Sequence, residues 1–274
     1  MPCALIDISE LTVRYRPMVG GPVLALNNVN LKMSPGEIVG LLGESGSGKS
    51  TLAATILQLL PATAERQGRI LFKGENLTPR TERELRQLRG RHISVIPQDP
   101  ANALNPVMRA GAQISEVLRA HMRLTRAERQ ARVLELLHEV GFDDPERIRC
   151  SYPHQLSGGQ RQRVVIAQAI ACRPELIIAD EPTSKLDPVS QTQVLELIAK
   201  MAREHKTALL WITHDPATLA GFADRVAVMH SGRIVEEACS EKVFTEPAHA
   251  YTRALMRISQ ELTIQPRELA GHVQ

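Results

Sequence analysis

The sequence predicts an α/β fold with a mostly parallel sheet, an antiparallel β region at the N-terminus and an inserted helical stretch. Three observations predict it. Short apolar runs such as Ile38-Val39-Gly40-Leu41-Leu42 have the character of strands buried on both faces. Helical segments separate most of these runs, the alternation that crossover connections between parallel strands require. Between residues 105 and 153 the alternation stops, and apolar residues recur only at helical spacing.

Taken in order, Ile6, Ile8, Leu11 and Val13 nearly alternate with polar residues and mark a first strand. Residues 23–33 read as a second, after which Pro35-Gly36 turns the chain. Ile38–Leu42 is the third, and further buried strands are expected at 93–96, 176–179, 208–212 and 226–229. In the insertion, Ile114, Val117 and Leu118 mark one helix, and Val133, Leu134, Leu136, Leu137 and Val140 a second. Thr125 with Glu128 three residues on forms a capping-box start for the second, and Gly141 fits its C-cap. After the hairpin-like turn Ser231-Gly232, a polar tail shows weak helical periodicity.

The 274 residues are 43% hydrophobic and 23% charged, enough to bury a core, which excludes a disordered or disulfide-scaffolded chain. A net charge of +3 is too small to imply a nucleic-acid partner, and 3% aromatics argues against base-stacking platforms. Cys3, Cys150, Cys172 and Cys239 are scattered without metal-like spacing, so free thiols in a reduced, cytosolic protein are expected. The first residues lack the apolar core of a signal peptide, and no window approaches 18 consecutive apolar residues. A membrane role would therefore have to come through a partner.

Gly43-Glu44-Ser45-Gly46-Ser47-Gly48-Lys49-Ser50 satisfies G-x-x-x-x-G-K-[ST] at every position. A buried strand precedes it, and a helix is expected over residues 51–60. Glycines let successive backbone N–H groups turn inward on phosphate oxygens. Lys49 supplies a point charge for the β/γ-phosphates, and the Ser50 hydroxyl is a ligand for Mg²⁺. The helix beginning at Thr51 adds its dipole to the same anion site. A matching acid belongs at the end of a neighbouring strand. Leu176-Ile177-Ile178-Ala179-Asp180-Glu181 provides it, Asp180 placed to hold Mg²⁺ and Glu181 to act as general base on water. Leu156-Ser157-Gly158-Gly159-Gln160 opens another helical run; it reads equally as a second anion site or as a helix capped by Ser157.

An LSGGQ turn between a P-loop and paired acids makes the chain resemble the ABC-type ATPases over about residues 5–235. The resemblance implies a P-loop NTPase core of the RecA-like kind, binding ATP with Mg²⁺. It implies an ATPase domain over residues 1–235, with catalytic core at 1–100 and 157–235, a helical subdomain at 101–156 and an extension at 236–274. Tyr15 resembles the aromatic that stacks on adenine. Gln98, in Pro97-Gln98-Asp99-Pro100, resembles the glutamine that touches Mg²⁺ and signals to a membrane partner. His214, in Ile212-Thr213-His214-Asp215, resembles the histidine that contacts the γ-phosphate. Two cassettes meeting head to tail would close the Ser157–Gln160 turn of one over the P-loop of the other. Asp187, in Ser184-Lys185-Leu186-Asp187, resembles the acid of the turn that touches the second cassette. Lys185 departs from the small or neutral residue usual there.

Finer features, Leu104-Asn105-Pro106-Val107, Tyr152-Pro153-His154-Gln155 and Pro247-Ala248-His249-Ala250-Tyr251-Thr252-Arg253-Ala254-Leu255, resemble the peptide and nickel importer ATPases, in their D-type subunit. That resemblance implies a second, non-identical ATPase subunit, two membrane permeases and an extracytoplasmic substrate-binding protein. It places the chain peripherally on the cytoplasmic face of the membrane. Without the cysteine-rich tail of many dipeptide members, nickel or metal–ligand cargo is favoured modestly over peptides. The alternative is a soluble, non-transport ABC ATPase. The DNA-repair kind would need a long coiled coil where only residues 99–155 stand, a translation-factor ATPase would carry two cassettes, and Glu181 argues against a regulator that barely hydrolyses.

Overall fold

The computed structural model describes residues 4–17, 21–78 and 80–264, which leaves Cys3 outside it. Strand β1 (Ile6–Tyr15) buries Ile6, Ile8, Leu11 and Val13. Its alternation skips a residue because Glu10 takes a left-handed φ of 54°, and the pairing shifts from Ile8↔Leu31 to Leu11↔Val29. Such a bulge re-aims the strand while keeping its apolar side inward. Antiparallel to β1 runs β2 (Val23–Met33). Then come β3 (Ile38–Leu42) and helix α1 (Lys49–Ile56).

The helix expected through residue 60 stops at Ile56, since Gln58 goes left-handed at φ 55°. Strand β4 (Ala64–Phe72) follows, with a short β5 (Glu75–Asn76) turned back on it through Lys73-Gly74, both at positive φ. The sequence had not singled out β4. Most of its residues before Ile70 are polar and solvent-facing, and only its pairing along the free edge of β1 makes it a strand. Helix α2 (Glu82–Leu88) opens with a Thr81–Glu84 capping box. Strand β6 (Ile93–Ile96) leads into the insertion.

The insertion contains α3 (Pro100–Ala103), α4 (Ala110–His121), α5 (Arg126–Glu139) and α6 (Pro145–Cys150), and no strand. Thr125 and Glu128 form the capping box on α5, and Gly141, at φ +84°, ends that helix where a side chain would be strained. Helix α7 (Gly158–Ile170) returns the chain to β7 (Leu176–Asp180), α8 (Pro188–His205), β8 (Ala208–Thr213) and β9 (Arg225–His230). Past Ser231-Gly232 the chain forms strand β10 (Arg233–Cys239), antiparallel to β9. The tail read as weakly helical therefore starts as a strand, because Ile234 and Val235 pack while pairing satisfies the backbone. A boundary after residue 235 falls inside it. Helices α9 (Ser240–Thr245) and α10 (Ala250–Ile264) follow.

Two sheets result. One is antiparallel in the order β2-β1-β4-β5; the other runs β10-β9-β3-β8-β7-β6, parallel except for β10. The period of two along β3 explains how they share a core. Ile38 and Leu42 point into an apolar cluster with the helices of the insertion and α8, while Val39 and Leu41 point into the cluster between the sheets. The C-terminal ends of β3, β6, β7 and β8 come to one edge, where an open α/β sheet gathers its ligand-binding loops.

Candidate active site

At that edge the backbone of β3 runs straight into the glycine-rich loop. Gly48 has φ +110°, and a Cβ there would stand 2.6 Å from the Ala25 carbonyl oxygen, so only glycine fits. Gly43 is as confined, its would-be Cβ 2.3 Å from the Met229 carbonyl oxygen. Gly46, at φ +82°, has open space where a Cβ would stand and lines a cavity of about 370 Å³. That cavity is also lined by Ser45, Gly48, Lys49, Ser50, Thr51, Gln98 and Glu181. Lys49 is buried, its ammonium donating to the Gly43 and Glu44 carbonyl oxygens at 2.7 and 2.8 Å. Burial lowers its pKa, opposed by the charges of Glu181, Asp180 and Glu44. A cradle emptied of side chains at Gly46, with a cation at its base, fits a polyphosphate.

Asp180 ends β7 opposite Ile212 of β8, and burial pushes its pKa up, aided by the neighbouring Glu181 charge. The Ser50 hydroxyl bonded to it and the Lys49 charge act the other way. Glu181 sits at a left-handed φ of 45°, its N–H donating to the Ile212 carbonyl at 2.9 Å. One carboxylate oxygen meets His214 Nδ1 at 2.9 Å; the other accepts from Gln98 Nε2, also at 2.9 Å. Gln98 further reaches Ser184 Oγ at 3.4 Å. The sheet edge thus brings together the P-loop, Asp180, Glu181, Gln98 and His214.

Tyr15 stands nearby, its hydroxyl 3.5 Å from Thr51 Oγ1. The cavity is lined as well by Val23, Leu24 and Ala25, which the sequence presents as ordinary strand residues. The signal was apolar side chains left exposed, Val23 at 56% and Leu24 at 43%, which only the fold displays.

The Ser157–Gln160 turn is not brought to this cavity. Ser157 caps α7, accepting from the Gln160 N–H at 3.2 Å, while Gln160 Oε1 accepts from the Ser157 N–H at 3.1 Å. Ser157, Gly159 and Gln160 instead line a separate cavity of about 380 Å³ with Arg147, Arg163 and Ser190. Gly158 faces Leu186, and Asp187 caps α8 by accepting from the Ser190 N–H at 3.0 Å. Lys185 pairs with Asp99.

Residues 26–184, more than half of the chain, match the family described as ABC transporter. The peptidoglycan transport ATP-binding protein YejF of Agrobacterium fabrum (strain C58 / ATCC 33970) is 48% identical over 254 residues, 92% of this chain and 46% of that protein. The chain therefore spans about half the length of that relative. The probable D,D-dipeptide transport ATP-binding protein DdpD of Escherichia coli (strain K12) is 43% identical over 267 residues, covering 97% of this chain and 81% of that protein. Among solved structures, the ATP-binding cassette MJ0796, dimeric in a post-hydrolysis state bound to ADP and Pi, superposes with a TM-score of 0.76 at 32% identity. The match covers 86% of this chain and 98% of that one.

A phosphate cradle feeding a pair of strand-end carboxylates makes this fold a P-loop ATPase. Within that class, the chain belongs to the ABC transporter family. The soluble, non-transport alternative is not favoured, since both relatives are named for transport. Those names concern peptide-like cargo, and they give the nickel expectation no support.

Proposed function

We propose that the chain is the ATP-hydrolysing subunit of an importer for peptides, working peripherally on the cytoplasmic face of a membrane. Two permeases would form the path, a second, non-identical cassette would complete the ATP sites, and an extracytoplasmic binding protein would deliver cargo. Peptide cargo rests on the names of the relatives. Among the described residues no helix is long and apolar enough to cross a membrane.

Lys49 and the P-loop amides hold the phosphates, with Tyr15, Val23 and Leu24 toward the base. Ser50, Asp180 and Gln98 would hold Mg²⁺, which when bound neutralises charge on the β- and γ-phosphates. Glu181 accepts a proton from the attacking water, and His214 holds the carboxylate and faces the γ-phosphate. Gln98 and residues 99–106 carry closure to the permeases. The observation that carries this reading is the separation of the two cavities. The Ser157–Gln160 turn lines a cavity apart from that of its own P-loop, which supports the reading that its fixed dipoles serve a second cassette's ATP, with Asp187 at the junction.

The test is recovery of the tagged chain from its native membranes. Two permeases and a different ATPase recovered with it are the expected result. A lone soluble dimer, fully active without a membrane protein, would overturn the reading.

A further inference from the structure

The segment beyond β10 lies outside the family match, yet it reaches the P-loop. Its entry into α10 is pinned by Glu236 of β10, whose carboxylate accepts from the backbone N–H groups of Ala248 and His249 at 2.7 and 2.9 Å. So anchored, the Tyr251 ring lies over the ring of His230 with centroids 4.0 Å apart, tilted by 33°. Its hydroxyl accepts from the Glu44 N–H at 3.4 Å. His230 ends β9, and the hairpin it opens already backs the P-loop, for the Gly232 N–H donates to the Ser47 carbonyl at 2.9 Å and the Met229 carbonyl closes on Gly43. Further along α10, Leu255 and Met256 are buried in one cluster with Leu219 and Phe222, beside the turn at residues 216–218 that follows His214. One helix therefore touches the supports of two ATP-contacting loops.

We propose that Tyr251 is a positioning residue of the ATP site, holding the P-loop at Glu44 against the β9–β10 hairpin. It meets no phosphate itself. A loop held in its cradle shape before ATP arrives loses less conformational freedom on binding, and that saving appears as affinity. A saving in loop ordering that is made on binding and is the same in the ATP complex and the transition state acts on KM and leaves kcat alone. The inference rests on ATP binding, and it holds whatever cargo the assembled transporter carries.

The test compares wild type, Tyr251→Phe, Tyr251→Ala and His230→Ala. ATP affinity of the purified full chain is measured by calorimetry, and KM and kcat in the assembled transporter. Thermal melting checks folding. Stacked aromatic pairs of this kind imply that Tyr251→Ala weakens ATP binding about tenfold, with His230→Ala somewhat less. Tyr251→Phe, which keeps the ring on His230 but loses the hydroxyl that accepts from the Glu44 N–H, falls between wild type and Tyr251→Ala. KM rises in step while kcat changes less than twofold. A folded Tyr251→Ala that binds ATP as wild type does overturns the proposal, as does a loss confined to kcat. If Tyr251→Ala does not fold, His230→Ala decides on the same readouts, and unchanged affinity there is equally fatal. Wild-type ATP binding in the same titration separates failure of this inference from failure of the site.

Discussion

Lys185 and Asp99, 86 residues apart in the sequence, form an ion pair that ties the turn after Glu181 to the segment after Gln98. The bond to Lys185 is the chief cause holding the Asp99 carboxyl below its ordinary range. The same carboxylate caps α3 through the Ala101 N–H at 2.9 Å. Asp99 thus joins the entry to the helical insertion to the turn expected to touch the second cassette. The departure at position 185 has a structural account: the lysine has its partner within its own chain.

Breaking this pair should loosen coupling without abolishing hydrolysis. Both side chains are partly solvent-exposed, so the effect is modest, about two- to fivefold in the ratio of cargo-stimulated to basal ATPase for Lys185→Ala in the assembled transporter. Asp99→Asn, whose side-chain oxygen can still cap α3, should lower the ratio as Lys185→Ala does, and the double variant should fall no further. High salt should shrink the difference between wild type and Lys185→Ala. Additive losses in the double variant would show that the charges do not act on each other.

Glu181 and His214 should behave as one unit. Removing a general base costs roughly 10²–10⁴ in rate, so Glu181→Gln should fall by that much while ATP affinity stays within about threefold. His214→Ala should lose less. The double variant should be no slower than Glu181→Gln alone, because the histidine acts through the carboxylate it bonds at 2.9 Å. Single-turnover rates check this, and multiplicative losses would separate the two roles.

Asp180 offers a pH signature. Burial raises its pKa, so the folded chain binds this proton more tightly than the unfolded chain does. An acid shifted this way opposes folding above its unfolded pKa of about 3.9, and the cost grows until the pH passes the raised folded value. Asp180→Asn should therefore raise the melting temperature of the nucleotide-free chain at neutral pH. The gain should vanish as pH falls below the ordinary aspartate range. It should come with weaker Mg²⁺-dependent ATP binding. Melts across pH check the sign, and a gain that persists in acid would mean the charge is not its source.

What was legible in the sequence was local. The cradle from Gly43 to Ser50 and the strand Ile38–Leu42 before it are contiguous, and backbone geometry dictates their residues directly. Asp180 and Glu181 ride on a neighbouring apolar run. Illegible features were those made by pairing distant segments. Strand β4 carries too little apolar pattern to show itself without β1 beside it. The end of α1 was overrun because Leu57, Leu59 and Leu60 continue an apolar run, whereas Leu57 caps the helix and Leu59 is exposed. Glu44 and Tyr251 lie 207 residues apart, a separation no motif spans.

The two cavities on one chain have a genetic consequence. In the proposed head-to-tail pair of unlike cassettes, every ATP centre would draw its P-loop from one gene product and its LSGGQ turn, the signature turn, from the other. A lesion at Lys49 and a lesion at Ser157 of this chain, which line different cavities, would therefore fall on opposite centres. Placed together in one copy they damage both, whereas a Lys49 lesion here joined to a signature-turn lesion in the partner spares one centre intact. Such inheritance patterns would reveal whether transport needs both centres or only one.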